Sequence, residues 1–77
     1  MSNTYIYGEW KVRIEYDSNN NAIYVGETRP GISVSSAHWR IKKITYDTSN
    51  NATQINWANS SNDFSFIWND RSTYTYG

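Results

Sequence analysis

Apolar and polar residues alternate along much of this chain, and the alternation cuts it into short segments. Over residues 10–16, Trp10, Val12, Ile14 and Tyr16 take one side while Lys11, Arg13 and Glu15 take the other. A period of two marks a strand with one covered face. Residues 22–27 give a second strand, with Ile23 and Val25 opposite Tyr24. Gly26 there signals a bulge or a close backbone approach. Residues 38–47 lie within the longest run without Gly, Pro, Asn or Ser. In it Trp39 and Ile41 alternate with Arg40 and Lys42, and then Ile44 and Tyr46 with Lys43 and Thr45. The doubled lysine shifts the phase by one, so a bulge near Lys42 and Lys43 would return both apolar pairs to one face. A helix is the rival, because Ala37, Ile41 and Ile44 are spaced by four and three. The Ile, Thr, Tyr and Trp content favours the strand. Thr53, Ile55 and Trp57 alternate with Gln54 and Asn56 as a fourth.

Polar punctuation separates these strands. Asp17-Ser-Asn-Asn-Asn21 and Asp47-Thr-Ser-Asn-Asn51 read as turns, because Asp and Asn bond nearby backbone and tolerate left-handed dihedrals. Asn59-Ser-Ser-Asn62 is a third. Arg29-Pro-Gly31 opens the longest connection, in which Ile32 and Val34 are placed to pin the loop to the core and Ser33, Ser35 and Ser36 to cap a brief helical turn. Near the end, Phe64, Ile67, Trp68 and Arg71 fit a short helix, although Phe64, Phe66 and Trp68 also fit a strand. Thr73 and Thr75 alternate with Tyr74 and Tyr76 as a last strand. Residues 1–9 make a lead or edge strand around Tyr5 and Tyr7, and residues 10–77 a single small domain.

An internal echo links the two main turns. Arg13-Ile-Glu-Tyr-Asp-Ser-Asn-Asn-Asn-Ala22 parallels Lys43-Ile-Thr-Tyr-Asp-Thr-Ser-Asn-Asn-Ala52 at a constant offset of 30 residues. Two copies are too few for a solenoid. They suit an all-β domain, a small antiparallel sheet or barrel built from two similar hairpins, with a short helical turn near the C-terminus. The expected core is Trp10, Val12, Ile14, Ile23, Val25, Trp39, Ile41, Ile44, Tyr46, Ile55 and Trp57.

Composition narrows the function. A chain of 77 residues without cysteine has room for one modest core and no disulfide or cysteine metal site. Four Trp and seven Tyr are a heavy aromatic load, more than a small core absorbs, so some are expected at an interface. The formal charge is zero, which disfavours nucleic acid. Even so, Arg13, Arg40 and Lys42 offer an anionic-ligand face, with a solvated sheet face as the plainer account. No apolar run is long enough for a membrane helix. The start lacks a secretory signal, which points to a chain made in a cytoplasm.

No catalytic constellation emerges. His38 is the sole histidine, and Ser35, Ser36 and Asp47 are partners only by being common residue types. The aspartates fall in or near turns, where capping explains them better than acid–base work. No cofactor or metal motif is present. Arg71 sits among Trp68, Tyr74 and Tyr76, and stacking there suits either an intramolecular clamp or an anchor between subunits. Together with Tyr5 and Tyr7, these form the candidate interface. Exposed aromatics beside Asn, Gln and Asp are also how a surface glycan is gripped.

Trp39-Arg-Ile-Lys-Lys-Ile-Thr-Tyr-Asp47 and the closing Phe66-Ile-Trp-Asn-Asp-Arg-Ser-Thr-Tyr-Thr-Tyr76, with Ile23-Tyr-Val-Gly-Glu27 and Arg29-Pro-Gly31 before them, resemble small structural proteins of tailed bacteriophages. The resemblance implies a non-enzymatic virion component that binds itself or other virion proteins. It carries no ligand-binding residues over. A carbohydrate-binding, receptor-contacting module and a small nucleic-acid-binding barrel are the alternatives.

Overall fold

The computed structural model describes residues 10–77, so the edge strand or arm expected of residues 1–9 lies outside the described residues. The elements are β1 (Lys11–Tyr16), β2 (Ala22–Thr28), β3 (Ala37–Tyr46), β4 (Ala52–Trp57), β5 (Phe66–Ile67) and a 3-10 helix (Trp68–Thr73). The first four strands form an antiparallel meander in chain order, and β5 pairs with the start of β3. The chain is thus all-β, as its alternation predicts, and its sheet is open rather than closed into a barrel.

The two hairpins repeat in the backbone as they do in the sequence. In the first turn Asn20 N–H donates to Asp17 O at 3.0 Å and Asp17 N–H to Asn21 O at 2.9 Å; in the second, Asn50 N–H donates to Asp47 O at 3.1 Å and Asp47 N–H to Asn51 O at 2.9 Å. One carboxylate oxygen of each Asp accepts two further backbone N–H groups, from Asn19 and Asn21 or from Ser49 and Asn51. Asn20 and Asn50 both sit at φ 64°. This is a type I turn closed by a left-handed residue, a common hairpin connection, and Asn accepts that conformation at low cost. Each hairpin carries a register shift at the same place, at Glu15 and Tyr16 and at Thr45 and Tyr46.

Register fixes two faces. One carries Lys11, Arg13, Glu15, Tyr24, Gly26, Thr28, Trp39, Ile41, Lys43 and Asn56; the other carries Val12, Ile14, Val25, Glu27, Arg40, Lys42, Ile44, Ile55 and Trp57. Among the described residues, only the first is covered by other elements. Phe66 and Trp68 lie over it and form the buried core with Trp39, Ile41 and Ala58, while Tyr24, Ile32, Val34, Tyr74 and Tyr76 pack around them. Thr28 is buried too, its hydroxyl donating to His38 O at 2.7 Å. The loop between β2 and β3 is pinned as its apolar residues predict. Trp39 Nε1 donates to Ser33 O at 2.9 Å, and Asn69 N–H to Val34 O at 3.1 Å.

The structure corrects the expected core. Trp39 and Ile41 are fully buried, but Trp10, Val12, Ile14 and Ile55 are exposed, and Ile23, Val25, Ile44, Tyr46 and Trp57 are only half-buried. The cause is the position of the C-terminal cover. Alternation sorts residues onto two faces but does not say which face the rest of the chain covers. No bulge occurs at Lys42 and Lys43, which pair in step with both neighbouring strands. The apolar set of β3 changes face because its first half is covered on one side and its second half is not. The helical turn comes later than expected, at Trp68–Thr73 after a two-residue strand, and Ser33 and its neighbours form turns without a helix. In place of a last strand, Tyr76 makes an isolated bridge to Ala58.

Candidate functional site

The open face of the sheet is the surface that sets this molecule apart. Val12 and Ile14 of β1 and Ile55 of β4 stand on it, with Trp10 and Phe64 at one end. These five side chains are 37–58% exposed. Large apolar side chains gathered on one exposed sheet face, here with Glu27, Arg40 and Lys42 among them, are a feature of interaction surfaces.

Arg40 organises the end near Trp10. Its Nε donates to Glu27 Oε1 at 2.6 Å, across the β2 and β3 pair. Its guanidinium carbon lies 4.7 Å from the Phe64 ring centroid and 5.6 Å from those of Trp10 and Trp57. Trp10 and Phe64 stack at 5.1 Å with an interplanar angle of 18°. A cation is thus wedged between aromatic faces, and its charge is already met by a carboxylate. Lys42 follows on the same face, with Nζ 5.4 Å from the Trp57 ring. Arg13 is not with them. It pairs with Gly26 on the covered side, so Arg13, Arg40 and Lys42 do not form one basic face.

The candidate interface at the C-terminus divides differently. Tyr5 and Tyr7 lie outside the described residues. Trp68 is 4% exposed, in the core. Arg71 stacks on it at 4.5 Å, donates to Glu15 Oε1 at 2.7 Å and to Trp68 O at 3.1 Å, and so ties the 3-10 helix to β1. Tyr74 meets Phe66 edge-on at 5.1 Å and its hydroxyl accepts from Ile67 N–H. The Tyr76 hydroxyl donates to Arg71 O at 2.7 Å, and burial beside Tyr24 and Tyr74 pushes its pKa well above the usual phenol value. This arrangement is an intramolecular clamp on the C-terminal segment.

A pocket of about 240 Å³ beside the aromatic end is lined by Trp10, Thr28, Arg29, His38 and Phe64. His38 therefore sits at a recess, but Asp47 is at the far end of β3, on the order of 30 Å away along an extended strand. Ser33 and Ser35 hydrogen-bond to each other at 2.9 Å.

Sequence reasoning missed Glu27 and Phe64. The pairing of Glu27 with Arg40 needs the strand register, and the return of Phe64 to Trp10 needs the path of the whole loop; neither leaves a local signal. No family model, curated protein or solved structure matches this chain.

Proposed function

We propose that this chain is a non-enzymatic assembly protein, a component of a virus particle that binds copies of itself or other particle proteins through its open sheet. The observation that carries this reading is the uncovered apolar face. Val12, Ile14 and Ile55 each leave about half of their surface exposed, and burying it against a partner would contribute roughly 25 cal/mol per Å² of apolar surface. The resemblance to tailed-phage structural proteins supplies the setting, a particle whose parts are made in a host cytoplasm. Sedimentation velocity over a concentration series tests the reading. Wild type is expected to associate and Ile14→Glu to stay monomeric with unchanged far-UV circular dichroism. A wild type that is monomeric at every concentration and binds no particle protein would sink it.

The pocket beside Trp10 and Phe64 favours a second reading, a surface-glycan site, since flat aromatic faces with His38 and Arg29 nearby suit a sugar ring. Titratable glycan-array binding abolished by Phe64→Ala would favour it over assembly.

A further inference from the structure

We infer that the outer edge of β4 receives β1 of a second copy, in the register that β2 and β3 use within the chain, so that copies add head to tail into one continuous sheet. This rests on the assembly reading and names its contact.

The argument comes from the 30-residue echo. Inside the chain the second hairpin lies against the first. Two side-chain contacts mark that junction near the tips. Tyr46 Oη donates to Ala22 O at 2.7 Å, and Asn21 Nδ2 donates to Asn50 Oδ1 at 3.0 Å. Tyr46 corresponds to Tyr16, Ala22 to Ala52, Asn21 to Asn51 and Asn50 to Asn20. Each group in these two contacts is therefore repeated, in the same residue type, on the outer strands and their turns, whereas Arg40 and Glu27, which also cross the junction, have Trp10 and Trp57 as counterparts. The turn itself accounts for the repeated aspartates and for the left-handed Asn20 and Asn50. It does not account for Tyr16. Tyr46 gives its hydroxyl to the neighbouring hairpin, whereas Tyr16 is 56% exposed and its hydroxyl has no partner among the described residues. A neighbouring copy would supply one, through Ala52 O.

The strands agree with this placement. Both hairpins share register and bulge, so β4 can meet a second β1 as β2 meets β3. The internal pairs Val25 with Lys42 and Tyr24 with Lys43 become Ile55 with the second copy's Val12, and Gln54 with its Arg13. The first is apolar on apolar, on the open face. Among the described residues no strand pairs with the outer side of β1. On β4 the chain's own end takes only the last part of the edge: Gly77 N–H donates to Trp57 O and Asn59 N–H to Thr75 O. Among the described residues no strand pairs with the remainder of β4, and such an edge is a template for another strand. Such a contact joins two different surfaces, so it propagates as a ring or a filament rather than closing as a twofold dimer.

The chain has no cysteine, which permits a clean cross-linking test. Directly opposed residues of an antiparallel pair lie within disulfide reach. Under mild oxidation, Val12→Cys mixed with Ile55→Cys should give a covalent dimer, each variant alone should stay monomeric, and the double variant should form a ladder. Tyr16→Phe should weaken association about 2- to 10-fold without lowering the melting temperature, the loss expected of one hydrogen bond. Tyr46→Phe should lower the melting temperature instead. Single variants that cross-link with themselves would overturn the inference. So would oligomers in sedimentation with no Val12-to-Ile55 cross-link, and in that case the assembly reading survives. A wild type that never associates defeats both.

Discussion

Gly26 and Trp68 are in direct apposition: a Cβ on Gly26 would lie 2.7 Å from Cζ3 of the Trp68 indole, and 3.1 Å from Cε3 of Trp39. The bare backbone of β2 is the floor on which the C-terminal segment lies. Without it the cover could not reach Trp39 and Ile41.

Gly26→Ala is therefore expected to destabilise by about 1–3 kcal/mol, the cost of forcing extra volume into a packed core. A domain of this size holds on the order of 4–12 kcal/mol in all. Most of the loss should vanish in a Trp68→Leu background, because the two residues share one space. Urea denaturation of the two single variants and the double variant checks this. Additive losses would contradict the apposition.

Trp39→Ala and Ile55→Ser separate the covered face from the open one. Trp39 is wholly buried and Ile55 is 58% exposed. The first should cost about 3–5 kcal/mol and the second less than about 0.5 kcal/mol at concentrations where the protein is monomeric. A large loss at Ile55 in the monomer would mean that its face is covered.

Arg71→Ala should cost about 1–2 kcal/mol. The ion pair to Glu15 is partly solvated, at 25% and 41% side-chain exposure, and contributes little by itself. Stacking on Trp68 and the bond to Trp68 O add more. The readout is a lower melting temperature with unchanged self-association, the pattern of an intramolecular clamp. Weaker association at an unchanged melting temperature would mark a subunit anchor instead.

The tip of the second hairpin should weaken in acid. Backbone N–H groups of Asn51 and then Ser49 hold the Asp47 carboxyl below its ordinary value. A depressed folded-state pKa contributes stability that is complete above the unfolded value and is lost as pH falls through the folded one. Side-chain NMR titration should find Asp47 titrating below an unstructured peptide of the same sequence. An equal midpoint would remove the carboxylate from the turn.

Asn20→Ala should cost about 1 kcal/mol and Asn20→Gly almost nothing, because the residue sits at φ 64° and glycine has no Cβ to crowd there. Thermal melts of both variants test it, and equal losses would argue against a left-handed residue.

The sequence by itself determined the first four strands, the hairpin turns and the pairing of two like hairpins, but not β5 or the end of the chain. Those features are local: a two-residue period over residues 10–16, and an Asp followed by a left-handed Asn, are satisfied by nearby backbone whatever surrounds them. It also marked the loop anchors Ile32 and Val34. Only the tertiary structure decided which face of the sheet is inside. Trp10, Val12 and Ile14 alternate as cleanly as any buried strand, yet the cover of Phe66 and Trp68 falls on the opposite face, over Gly26. That choice depends on where a segment some forty residues later comes to rest. The same long-range path sets Phe64 on Trp10, draws Arg40 against Glu27 and parts Arg13 from Lys42, because register and chain return are properties of the whole fold rather than of any stretch of it.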